Sequence, residues 1–195
     1  MAVAVSLLIW TTGCGQNALI SETTESLEKQ RVAAVEEARE GSADEQTSAE
    51  EKITGDELSC LLPAGFVALD GEEGLFVSEE YPKDIACIGY VIAPHDSKIT
   101  ELSESELKNS IEQDLRSGYG TEVEVTVKAC ENLQIDGHEA IKTELSYRIM
   151  ETDYEQIQVI IVDEANEEEH IFGYIQEKGG KWMDKFRQSI ETITF

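Results

Sequence analysis

Three histidines stand beside carboxylates, in His95-Asp96, His138-Glu139 and Glu169-His170, and such neighbours suggest proton transfer or metal binding. Adjacent side chains on a strand point to opposite faces, so adjacency alone makes none of them a dyad. The three lie on separate elements, no H-x-x-x-H or H-x-E spacing links them, and they read as surface or turn histidines. Hard oxygen ligands cluster at Asp70, Glu72 and Glu73, and again at Asp163, Glu164, Glu167, Glu168 and Glu169. Ca²⁺ collects about six to eight such donors, but neither cluster follows the EF-hand spacing, and both read as solvated acidic loops. Ser110 and Ser189 fall on predicted helices outside any G-x-S-x-G context. Cys87 and Cys130 lie on or near predicted strands, with no basic neighbour arranged to lower a thiol pKa. The expectation is a chain with no catalytic residue, no metal site and no cofactor site, and hence not an enzyme.

The formal net charge is −26 over 195 residues and the pI is about 4.2. Charge of that sign repels phosphate backbones, which excludes nucleic acid as a partner. It reads chiefly as a means of solubility, with a cation-binding or basic-partner surface as the lesser alternative. Of four cysteines, Cys14 belongs to the leader region, leaving Cys60, Cys87 and Cys130. An odd number permits at most one internal bridge, and without any C-x-x-C spacing all three read as small buried hydrophobes.

Residues 2–10 form an apolar run too short for a bilayer span, which needs about 20 residues, but suited to the core of a signal peptide. It leads into Thr11-Thr12-Gly13-Cys14-Gly15, which resembles the lipobox of bacterial lipoproteins. The resemblance implies acylation of the Cys14 thiol, cleavage before it, and an extracytoplasmic protein held on the membrane by lipid. Thr11 stands where the lipobox usually has Leu, and no Lys or Arg precedes the apolar run, so a start codon upstream of Met1 is expected. The stretch that follows is rich in Glu, Ser, Thr, Ala and Gln, has no aromatic residue, and lacks the apolar surface to offset chain entropy. A solvated helix over 27–40 is expected within it, on a thin stripe that includes Leu27, Val32 and Val35. Residues 1–13 are thus read as a signal peptide and 14–57 as an acidic, mostly disordered tether with a reach of about 35–40 Å. Residues 58–195 are read as the folded domain.

Within 58–195 period-two alternation dominates. Val123, Val125, Val127 and Ala129 mark one strand, Ile141, Leu145, Tyr147 and Ile149 a second, and Ile157, Val159 and Ile161 a third. A fourth follows over 170–176, after the acidic loop. Shorter strands are expected at 65–69, 75–79 and 85–93, with turns at Asp70-Gly71 and Tyr81-Pro82. One helix is strongly punctuated: Ser103 is the N-cap, Glu106 completes a capping box, and Leu102 can staple against Leu107. Leu107, Ile111 and Leu115 form its buried stripe, Glu104–Lys108 and Glu112–Arg116 pairs support the exposed face, and Gly118 or Gly120 ends it. A second helix follows Gly179-Gly180, with Trp182, Phe186 and Ile190 on a face that reads as core, and a short strand closes the chain over 192–195. The expected fold is α+β: a central twisted antiparallel sheet of about seven strands flanked by two main helices.

The opening Cys60-Leu61-Leu62-Pro63-Ala64-Gly65-Phe66, the capped helix, the run Ile135-Asp136-Gly137-His138-Glu139-Ala140, and the ending Trp182-x-x-x-Phe186-x-x-Ser189-Ile190-x-x-Ile193-x-Phe195 together resemble the PsbP-like and DcrB-like proteins, in particular small lipoproteins of Firmicutes. The resemblance covers roughly 58–195. It implies an antiparallel sheet flanked by helices with no shared catalytic residues, in proteins that act as accessories rather than enzymes: photosystem subunits, partners of a small GTPase, and envelope lipoproteins. The expected function is a non-catalytic surface lipoprotein that docks an envelope protein, with a small-molecule or cation-binding module as the alternative. If Cys14 carries the lipid, Cys14→Ser abolishes labelling by a fatty-acid analogue and releases the protein from membranes. Unchanged membrane partitioning of that variant would assign the anchor to the apolar run instead.

Overall fold

In the computed structural model, residues 52–54, 58–95, 102–119 and 123–195 are described, and they hold nine strands and two helices. Cys14 and the helix expected at 27–40 lie outside them. Strands β3 (Phe66–Ala68), β4 (Leu75–Ser78), β5 (Cys87–Pro94), β6 (Val125–Ile135), β7 (His138–Ile149), β8 (Thr152–Asp163) and β9 (Glu168–Glu177) form one antiparallel sheet in the order β3-β4-β5-β9-β8-β7-β6. The helix α1 (Glu104–Tyr119) carries the chain from β5 to the far edge at β6, and α2 (Met183–Ile190) follows β9. The fold is therefore the expected α+β arrangement.

The sheet has two buried faces, and the alternation of each strand decides which side chain goes where. Ile157, Val159 and Ile161 of β8 join Phe172, Tyr174 and Ile88 on the face covered by α2, through Trp182, Phe186 and Ile190. Ile160 and Val162 join Ile141, Leu145 and Ile171 on the opposite face, covered by Leu107, Ile111 and Leu115 of α1. Beyond the reach of α1, Leu75, Val77 and Cys87 form a smaller cluster with Ile175 and Tyr81. The capping box forms as expected: Ser103 N–H and Oγ–H donate to Glu106 Oε2 at 2.9 and 2.6 Å, and Glu106 N–H donates to Ser103 Oγ at 3.4 Å. Glu112 is the partner of both Lys108 (3.7 Å) and Arg116 (3.3 Å), so the expected Glu104–Lys108 pair is replaced. Gly118 lies inside the helix, which runs on to Tyr119.

Strand β6 departs from simple alternation. A bulge between Val127 and Ala129 inserts one extra residue against β7, pairing Val127 with Leu145 and Ala129 with Glu144. Val123 and Val125 precede it and face α1, whereas Leu133 and Ile135 beyond it belong to the α2 face. The expected apolar set Val123, Val125, Val127 and Ala129 therefore straddles a change of parity. The tight turn Asp136-Gly137 has φ 47° and 89°, the left-handed pair that a two-residue hairpin requires.

The domain begins earlier than the boundary expected at residue 58. Lys52–Thr54 form β1, paired antiparallel with β2 (Ser59–Leu61), and this hairpin lies over the α2 face of the sheet. Ile53 is 2% exposed and part of that core. One apolar residue between Lys52 and Thr54 gives no period-two signal, so composition assigned it to the polar stretch before it. The strand expected over 192–195 reduces to a single bridge between Thr194 and Ser59. Because Ile53 is core, Ile53→Ala should cost about 2–4 kcal/mol, approaching the roughly 3–5 kcal/mol expected for Trp182→Ala. Urea unfolding checks this, and an Ile53→Ala loss below about 0.5 kcal/mol, the range of ordinary surface substitutions, would return the hairpin to the tether.

Candidate functional site

The hairpin leaves a groove of about 480 Å³ between β1 and the β4–β5 edge of the sheet. Phe76, Tyr90 and Ile92 line it on the sheet side, Lys52 and Ile53 on the hairpin side, and Glu73 lies at the turn before β4. Ile92 is 44% exposed, and it and Met150 are the exposed large hydrophobics among the described residues. The Tyr90 hydroxyl carries the wall of the groove to a polar end, where it lies 2.8 Å from His170 Nδ1.

That end gathers residues that sequence spacing kept apart. His170 stands on β9, is 4% exposed, and is not the surface or turn residue expected. A strand interior can bury a histidine when a hydroxyl satisfies it, which no local pattern announces. Burial holds its pKa below the ordinary histidine value and the adjacent His138 adds to that, against the opposing pull of Asp163 and Glu168. His138 donates from Nδ1 to Val162 O at 3.3 Å, and its ring stacks on Phe195. His95 Nδ1 lies 3.1 Å from Glu169 Oε1. Glu169 follows strand alternation to the opposite face from His170, so the sequence neighbours form no dyad. The pairing of His95 with Glu169 was invisible in sequence because β5 and β9 become neighbours only in the sheet.

Of the two acidic clusters, the second is anchored locally through Asp163. Asp163 is buried, which alone would raise its pKa, but hydrogen bonds from Asn166 and Ala165 outweigh that and hold it below the usual carboxylate range. Its Oδ1 accepts from the N–H groups of Ala165 (3.0 Å) and Asn166 (3.3 Å), and Oδ2 accepts from Asn166 Nδ2 (2.8 Å). Asp70, Glu72 and Glu73 are exposed on their turn. Among the described residues no group of three His, Cys, Asp or Glu side chains is placed to hold a metal ion.

The remaining candidates hold the fold together. Ser189 is buried and donates from Oγ to Leu61 O at 2.5 Å, with Cys60 Sγ 3.4 Å away. Cys60 Sγ is also 3.4 Å from Tyr174 Oη, and burial pushes that phenol well above its ordinary pKa. No disulfide joins Cys60, Cys87 and Cys130. Burial raises the Cys130 pKa, and Glu104 and Glu131 push the same way, the reverse of what a nucleophile needs. Trp182 donates from Nε1 to Asp84 Oδ2 at 2.7 Å and meets Phe66 edge to face at 4.8 Å. Gly65, at φ 93°, passes so close that a Cβ there would lie 3.2 Å from the indole.

No family model matches the chain, and no curated protein does. Among solved structures it is similar to the solution structure of cyanobacterial PsbP from Synechocystis, with a TM-score of 0.57 at 11% identity over 78% of this chain and 96% of that one. The fold is PsbP-like. A Bacteroides thetaiotaomicron structure also matches, with a TM-score of 0.43 at 13% identity over 70% of this chain and 44% of that one. A Pseudomonas aeruginosa protein of unknown function matches with a TM-score of 0.40 at 14% identity, over 73% and 94% of the two chains.

The Trp182–Asp84 bond gives a pH prediction. Burial would raise the Asp84 pKa, yet hydrogen bonds from Trp182 and Ala86 and the charge of Lys181 lower it overall. A carboxylate whose folded pKa is depressed stabilises the fold above its unfolded value, and that contribution is lost as the pH falls through the folded one. Asp84→Ala, which leaves the indole N–H without its acceptor, should cost about 1–3 kcal/mol at neutral pH. The gap between variant and wild type should shrink as the pH falls below about 3.8, and urea titrations across that range check it. An equal gap at all pH values would show that the loss comes from packing alone.

Proposed function

We propose that this chain is a non-catalytic, membrane-anchored lipoprotein of the bacterial envelope, of the kind found in Firmicutes, whose PsbP-like domain acts as an accessory that docks another envelope protein. The anchor is Cys14, and the acidic stretch after it, ending near Lys52, holds the domain away from the bilayer surface. The observation that carries the reading is how the reactive side chains are used. Ser189, Cys60, His170 and Trp182 each make internal hydrogen bonds that join separate elements of the fold. The surface with features suited to an encounter is the groove, where half-exposed apolar side chains, Ile92 foremost, lie beside the short strand β1.

The groove also supports a second reading, a module that binds a small organic molecule. Its volume falls within the range of ligand pockets, about 300–1,000 Å³, and Phe76, Tyr90 and Ile92 with Lys52 and Glu73 beside them offer such a ligand both apolar and charged contacts. Photocrosslinking on native membranes separates the two. With the full-length protein, a crosslinker at Ile92 should give one discrete protein adduct that Phe76→Glu abolishes, and a crosslinker at exposed Met150 should give none. Equal background labelling at both positions would count against protein docking. A rise in melting temperature with a small-molecule extract, lost in the same Phe76→Glu variant, would favour the second reading.

A further inference from the structure

Thr194 and Phe195 join three strands of the fold. Phe195 stacks on His138, with ring centroids 4.1 Å apart at 22°, and meets His170 edge on, at 5.0 Å and 88°. Its N–H donates to Asp136 Oδ2 at 2.9 Å, in the β6–β7 turn. One residue earlier, Thr194 exchanges two backbone hydrogen bonds with Ser59, both 2.9 Å, and the two hydroxyls lie 2.8 Å apart. A single aromatic ring thus ties β7 to β9, and its neighbour ties both to β2.

Two titratable groups hold that ring. His170 is buried, and its hydrogen-bond partner is the neutral hydroxyl of Tyr90 on β5. Its register partners, Ile92 on β5 and Ile161 on β8, are apolar. The other titratable groups acting on it are Asp163 on β8, Glu168 on its own strand and His138 on β7. His95 and Glu169 pair on the opposite face. A protonated imidazole here loses its solvation, leaves the Tyr90 hydroxyl only the acceptor role toward Nδ1, and faces a second imidazole across one phenyl ring.

We propose that the Phe195–His138–His170 stack is an acid-sensitive latch: protonation frees Phe195 from the sheet and, through Thr194, loosens β2, while Ile193 stays in the core and the seven-stranded sheet stays paired. Burial in the latched state holds His170 below the ordinary histidine value, so any opening that returns water to the ring binds the proton more tightly. The latch is therefore fully closed above the ordinary histidine pKa and opens as the pH falls through the lower, folded value. The sheet resists because β8 and β9 share ten register pairs, whereas beyond the buried Ile193 the last two residues rest on two ladder bonds, one hydroxyl pair, one N–H and one ring. Local opening draws on the least supported element first.

Hydrogen exchange on the full-length protein, corrected for the intrinsic pH dependence of exchange, tests this between about pH 7.5 and about pH 5. Protection of the Ser59, Thr194 and Phe195 amides should fall by about tenfold or more, with β8 amides unchanged. His170→Gln, which keeps a polar partner for Tyr90 without the titration, should remove the pH dependence, and Phe195→Ala should be open at both values. Unchanged protection in the wild type, a loss spread evenly over β8, or the same pH dependence in His170→Gln would each overturn the latch. Should His170→Gln fail to fold, an imidazole titration of the wild type decides. His170 titrating below an ordinary histidine, with the Phe195 ring signals moving in step, supports the latch, and an ordinary titration or a motionless Phe195 rejects it.

Discussion

From Gln156 to Asp163 every residue of β8 is buried, on both faces of the sheet at once, and the rest of the fold is arranged around that requirement. A strand that shows water neither side needs a layer above and a layer below. The layer on one side is α1, which can lie across the sheet because the chain crosses from β5 to the far edge before β6 begins. The other side is closed by α2 together with the β1–β2 hairpin, and the bridge from Ser59 to Thr194 holds these two pieces side by side. Apolar area removed from water on both faces, at about 25 cal/mol per Å², is the main term favouring this arrangement.

The α1 face is not uniformly apolar. Gly89, Gly173, Gln158 and Thr143 are register partners in one row across β5, β9, β8 and β7, and Gln156 lies beside them. The cluster under α1 lies on one side of this row and the smaller Leu75–Val77–Cys87 cluster on the other. The row is thus a seam between two coverings of the same face. Among the described residues, Gln158 Oε1 has no hydrogen-bond partner, a cost that the surrounding apolar burial must outweigh.

Sequence periodicity revealed the elements whose side chains repeat. The capping box at Ser103, the stripe Leu107–Ile111–Leu115 and the Trp182–Phe186–Ile190 face needed only local spacing, and each stands as expected. What stayed hidden depends on partners distant in sequence. Ile53 is core because β2 and the α2 face meet it, and a three-residue strand has no period to show. His170 is buried because Tyr90 and Phe195 converge on it from β5 and the end of the sequence, 80 residues before and 25 after. The resemblance to PsbP-like proteins conveyed the fold at a level that the 11% identity would not suggest, because it rested on the order of core and turn residues rather than on identities.

The extra residue in β6 has a consequence for how this strand can change over evolutionary time. Lys128 occupies the bulge, exposed and paired with Glu155 at 2.6 Å, so a substitution there gives up one surface ion pair and no core contact. Losing the position altogether is another matter: with the bulge gone, either Val123 and Val125 or Leu133 and Ile135 must turn toward the wrong side of the sheet. Point changes at the bulge are therefore cheap, whereas a single-codon deletion between Val127 and Ala129 disrupts one hydrophobic layer or the other. Homologous strands should vary in spelling while keeping an invariant count of letters.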